Sequence, residues 1–228
     1  MKKEQDIYNN KVYIITSFIM NLFVPDLAFL LMTSPLVIYI LWPGNEWTLS
    51  AILILSLLVG PAITALFSTM QNLCRYKDIA PWHDYFKSYK TNFGQSLFIT
   101  AVINFAVTVC YVDMGYFTSL NKNISYIFLG LIVVILMLCF YVYPILARFN
   151  LKTIDVFKIA VKVFVKKIYF TVTYAAIIII MLWLIKITGI ALIGLLVGVS
   201  IFCYIISLIQ KKVIDEIEDQ LKEEYNLK

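Results

Sequence analysis

The chain reads as an all-α, polytopic transmembrane helix bundle of about six spans, and three observations carry that reading. Hydrophobic residues make up 61% of the 228 and charged residues only 14%, against about 25% charged in an ordinary globular domain. The charges gather in blocks, and the runs between them approach the roughly 20 apolar residues that a helix needs to cross a bilayer. Lys and Arg are also sided. With a cytoplasmic N-terminus, all 19 basic residues except Lys122 and Lys186 fall inside, as the positive-inside rule requires. The reading is therefore a multi-pass protein of the cell membrane with both termini cytoplasmic.

The elements follow in order. Residues 1–21 form a cytoplasmic, interfacial lead-in, 22–209 the membrane domain, and 210–228 a charged cytoplasmic helix or tail whose default is a solvated, fraying end. Glu4 and Asp6 follow Lys2 and Lys3 at once, which is unlike a cleavable signal peptide. The apolar pattern predicts spans at 22–42, 48–73, 93–117, 124–147, 168–185 and 187–208. The first apolar run, Val12 to Trp42, is too long for one upright helix and holds Pro25 and Pro35. It divides into lead-in plus span, with one long tilted or kinked helix as the alternative. Gly60 and Pro61 shape the second span, by a kink for packing or by a transporter-like break. Pro144 interrupts the fourth. Gly194 and Gly198 make a GxxxG on the last, which packs either within the monomer or in a homo-oligomer. Trp42, Trp47 and Trp183 fall at predicted outer ends and Trp82 at an inner one, where an indole is well solvated.

Two inner connections carry amphipathic helical patterns. In 79–92, Pro81 suits a first helical turn. Trp82, Tyr85, Phe86, Tyr89 and Phe93 recur at helical spacing, with His83, Asp84, Lys87 and Lys90 opposite. In 151–167, Ile154, Phe157, Val161 and Phe164 oppose Asp155, Lys158, Lys162 and Lys166. Both predict helices lying in the cytoplasmic headgroup layer, their basic faces toward anionic membrane lipid or a partner. The parallel between Asp84-Phe86-Lys87-Phe93 and Asp155-Phe157-Lys158-Phe164 fits an internal repeat, or chance likeness between amphipathic helices.

No catalytic motif stands out: the chain has no GxSxG, HExxH, P-loop or GxGxxG. The lone His83 and the scattered Cys74, Cys110, Cys139 and Cys203 lack metal-ligand spacing. The expectation is a protein that is not an enzyme, with no cofactor, no metal and no nucleic-acid partner. Asp26 is the one clear ionisable residue within a span, placed about a turn inside the inner boundary and facing water or an inner Lys or Arg. Asn104 is the deepest uncharged polar residue and should bond a neighbouring helix.

Three stretches occur in order: Gly60-Pro61-Ala62-Ile63-Thr64-Ala65-Leu66, then Phe86 to Phe93 with its Asn92-Phe93, then Tyr143-Pro144-Ile145-Leu146-Ala147-Arg148-Phe149. Together they resemble the YesL-like family of bacterial membrane proteins, a domain of unknown function, over about 21–184. The resemblance implies a Gram-positive source and an accessory role beside a carbohydrate ABC importer or its sensor kinase, since such genes are neighbours in that family. On this reading Trp82, Phe86, Lys87, Asn92, Arg148, Phe149, Lys158 and Lys162 face partner or lipid. The alternative is a stand-alone transporter or channel, which a water-accessible cavity near Pro61, Asn104 and Pro144 would favour. A membrane enzyme with Asp84 and His83 ranks last.

Overall fold

The computed structural model describes residues 11–42, 48–77, 79–120, 122–188 and 191–224. Expectations resting on Lys2, Lys3, Ile7, Trp47 and Lys228, and on the surroundings of Gly194, lie outside the described residues. The described residues form eight helices and no strand: α1 Lys11–Leu41, α2 Leu49–Ser56, α3 Val59–Tyr76, α4 Pro81–Leu120, α5 Lys122–Arg148, α6 Thr153–Lys166, α7 Ile168–Thr188 and α8 Ala191–Glu224. Five stretches are long and apolar enough to cross a membrane, one of them α2 with α3, and a sixth exists if α6 and α7, bent by 88°, count as one span. Leu66, Phe67, Met70, Ile99 and Leu146 are buried at the centre, while Phe98, Phe105, Val172 and Ile179 are exposed outside. Such an apolar exterior suits lipid as its solvent.

Four expectations are corrected or decided between their alternatives. The lead-in and first span take the second of their two forms, one continuous helix of 31 residues with Pro25 and Pro35 inside it. A residue lacking an N–H costs one hydrogen bond, which a helix packed on neighbours can absorb. The first amphipathic segment is not a separate interfacial helix. It runs on into the third span as the start of the 40-residue α4, about 60 Å long at 1.5 Å per residue. Only 153–166 stands alone, and this difference removes the structural basis for the repeat. The tail, finally, takes the helical of its two expected forms and not the fraying one: α8 continues to Glu224 and buries Val213, Ile214 and Ile217.

The second span is broken, one turn before the expected place. Pro61 is the third residue of α3, and its ring and missing N–H deny the Leu57 carbonyl a helical donor. Leu57 and Leu58 instead donate three residues back, to Ile54 and Leu55 at 3.3 Å each. That leaves the Leu53 carbonyl to the Ser56 hydroxyl at 2.9 Å and the Asn104 amide at 3.4 Å. Asn104 also donates to Ser56 Oγ at 2.8 Å, so the deepest amide of α4 caps the broken end of α2. Beside it, Gly60 lets α3 and α4 touch: a Cβ there would lie 1.7 Å from Thr100 Oγ1. Thr100 in turn donates to Ser96 O at 2.7 Å and shares a hydrogen bond with Tyr143 OH at 3.1 Å, bringing in α5. A Cβ at Gly198 would lie 3.6 Å from Met181 Cε of α7, so this end of the GxxxG packs within the chain.

Pro144 creates the same problem in α5 and meets a different answer. It frees the Phe140 carbonyl, and Gln210 of α8 donates to that oxygen at 2.7 Å. Gln71 of α3 donates to the Pro144 carbonyl at 3.0 Å. A third glutamine, Gln95 of α4, holds the connection after α5 through Leu151 O at 2.7 Å.

The charged end of α8, beyond the apolar part of that helix, clamps the ends of three others. Asp215 pairs with Arg75 of α3 and Glu218 with Arg148 of α5, the latter at 3.0 Å. Glu216 takes Lys167 between α6 and α7 at 2.6 Å. Arg148 and Lys222 hold the Glu218 carboxyl below its ordinary range. Its stabilising share is thus present above the ordinary carboxylate value and is lost as pH falls through the lowered one. Glu218→Gln is expected to cost about 1 kcal/mol, a roughly fivefold rise in opening of this end. Limited trypsin digestion at Lys211–Lys212 reads it, and an unchanged rate would mean that Val213, Ile214 and Ile217 alone hold the helix.

Candidate functional site

The ends of α3 and α5 and the start of α4 meet at the basic end of the bundle. α3 stops at Lys77, which adopts the left-handed conformation (φ 60°) and donates its N–H to Leu73 O at 3.1 Å. This is the usual way to close a helix, although glycine more often fills that position. Pro81 then opens α4, its fixed φ suited to a first turn. The two helices pack on one another beyond this turn, and the end of α5 closes the third side.

Between them lies an open cleft of about 330 Å³, lined among others by Asn72, Asp84, Lys87, Asn92, Arg148 and Phe149. Lys87, Asn92, Arg148 and Phe149, spread over two distant stretches of sequence, are thus brought together. Asn92 Nδ2 donates to Ser88 Oγ at 3.3 Å, which orients the amide across the wall. The Arg148 guanidinium is held by Glu218, and Lys87 is exposed and forms no ion pair among the described residues. Asp84 lies 3.5 Å from His83 Nδ1 and supplies the opposing charge. Two cations, one carboxylate, amides and one aromatic ring can hold a polar or charged group arriving from water.

The other expected residues stand apart. Trp82 and Phe86 pack ring to ring at 4.8 Å, with Trp82 53% exposed beside the cleft rather than in it. The ladder continues along α4 through Tyr85, Tyr89 and Phe93. Lys158 is exposed on α6, 3.7 Å from Asp155. Lys162 lines a second cleft of about 300 Å³ with Lys166, Lys167 and Glu216. Asn72, Ser68 and Asn150 of the first cleft were not expected. Their only signal is polarity: Asn72 lies near the end of α3 and Asn150 just beyond α5, while Ser68 is in the middle of α3. Asp26 departs from its expected setting: it is fully buried and meets the Ser200 N–H of α8, not water or a base.

No curated protein and no solved structure gives a match to the chain. Residues 22–114, from early in α1 to late in α4, match the family model described as a protein of unknown function, DUF624, a stretch that takes in the Asn72, Asp84, Lys87 and Asn92 walls of the cleft and leaves Arg148 and Phe149 outside.

Proposed function

We propose that this is a non-enzymatic membrane protein that serves as an accessory to a carbohydrate ABC importer or its sensor kinase, its basic end facing the cytoplasm and docking a subunit of that partner. The observation that carries the reading is the convergence of Lys87, Asn92, Arg148 and Phe149 on one open cleft, with exposed Trp82 beside it. Exposed aromatic and basic residues around a polar notch suit a protein interface, where Trp and Arg carry much of the binding energy. The choice of an importer or sensor rests on the YesL-like resemblance of the three sequence stretches. The exposed faces of Lys158 and Lys162 suit anionic lipid at the same surface.

Purification of tagged protein from its native membranes in mild detergent tests this. Importer or sensor subunits should co-elute in fixed proportion, and Trp82→Ala with Lys87→Glu should reduce the captured subunit about tenfold or more, the loss of one interface anchor. Partner-free elution, or capture indifferent to both changes, overturns the reading. The stand-alone transporter finds no support at Pro61, where Gly60 to Ala62 are buried, but it does find some at Asp26.

A further inference from the structure

Asp26 sits near the middle of α1 with no exposure, and its Oδ2 accepts the Ser200 N–H at 3.3 Å. Its Oδ1 has no hydrogen-bond partner among the described residues, and neither has the hydroxyl of Ser200, which is itself fully buried. Ser207 and Tyr174 share this lack of a partner, but five other hydroxyls of the bundle behave differently. Thr33, Thr64, Thr69, Ser96 and Thr100 each donate to the carbonyl one turn back. Ser200 makes no such bond. Pro25, adjacent to Asp26, has no N–H, so the carbonyl of buried Asn21 loses its helical donor. A carboxylate oxygen and a hydroxyl therefore lie at the α1–α8 contact without partners, and a carbonyl freed by Pro25 lies farther back on α1.

No Lys or Arg pairs with Asp26 among the described residues. Tyr85 and Cys203 lie close enough to feel its charge, the Val199 N–H also faces its carboxyl, and the Tyr85 proton is already given to Ala62 O at 3.2 Å. A cation takes acceptor oxygens only, which suits the unpartnered Asp26 Oδ1 and Ser200 Oγ together, with the Asn21 carbonyl farther back on α1 as a further donor to the ion. Hard oxygen donors with a single carboxylate fit a monovalent ion, since calcium sites gather more oxygens and more charge and soft metals take thiolate or imidazole. A groove of about 530 Å³ lined by Phe18, Asn21, Tyr76 and Tyr204 reaches Asn21 from the basic end. Ser207, two turns along α8 from Ser200, is likewise buried without a partner and borders a small cleft with Gln71 and Arg75.

We propose that Asp26, Ser200 and the Asn21 carbonyl form a binding site for a monovalent hard cation of sodium's size, entered through the groove at Asn21 and Tyr204. Purified full-length protein is heated in sodium chloride and in choline chloride at equal ionic strength. Sodium should raise the midpoint of unfolding saturably, because an ion bound only to the folded state stabilises it. Asp26→Asn should abolish the sodium response, and Ser200→Ala should raise the half-saturating concentration about tenfold for one lost ligand. Radioactive sodium binding to the unaltered protein decides the matter if Asp26→Asn does not fold: one displaceable ion per chain supports the site, and none overturns it. Equal midpoints in the two salts, or a sodium response that survives Asp26→Asn, also overturns it.

Discussion

Gly60→Ala will cost the bundle about 1–3 kcal/mol, the usual range for overpacking, and the upper end is expected. The added Cβ would lie 1.7 Å from Thr100 Oγ1, 2.9 Å from Thr100 Cβ and 3.0 Å from the Ser96 carbonyl. Thr100 cannot simply turn away. It is β-branched, which narrows its rotamers, and its hydroxyl is engaged with Ser96 O and Tyr143 OH. Two helices must therefore separate, and α5 loses its hold on α4 with them. The measurement is the midpoint of thermal aggregation in detergent. Gly60→Ala combined with Thr100→Gly, which removes both clashing side-chain atoms, should recover much of the loss. A single variant as stable as the original protein would mean that α3 and α4 do not touch at this level.

Gln210→Leu is the second large effect. Leucine keeps the bulk but removes the donor to the Phe140 carbonyl, at present 2.7 Å away. The oxygen is then buried without a partner, at about 1–3 kcal/mol. Pro144 is the reason that the oxygen needs help, so the effect must depend on it. Pro144→Ala restores a backbone N–H to α5 and should make Gln210→Leu close to neutral. The comparison is a double-mutant cycle in thermal midpoints. Additive losses would show that Gln210 serves packing and not the proline.

The bundle was readable because apolar length and Lys sidedness are properties of single stretches, and each span could be placed by its own residues. What was missed depends on partners far away in the chain. The continuity of α1 through Pro25 and Pro35 turns on packing against α3, α4 and α8, which no local pattern reports. The tail looked solvated because Asp215, Glu216 and Glu218 are charged. Their cations, Arg75, Arg148 and Lys167, are separated from them by 140, 70 and 49 residues. At the cleft, Lys87, Asn92, Arg148 and Phe149 were legible from two motif stretches, whereas Asn72 arrives from α3 only through the α3–α4 turn. Asp26 was noticed as an acid inside a span. The burial of its carboxyl against Ser200 could not be read, because that contact joins residues 174 apart.

The dependence of α5 on Gln210 also orders the making of the protein. Helix α5 is synthesised 70 residues before the glutamine that satisfies its Phe140 carbonyl. During that interval the nascent chain carries an unmet acceptor among its apolar helices, and Arg75 and Arg148 await their carboxylates. Insertion of the earlier helices therefore cannot be their final state, and the fourth crossing becomes settled only after the last helix emerges. A chain released before Gln210 retains the earlier apolar segments yet lacks the amide and the carboxylates that finish them.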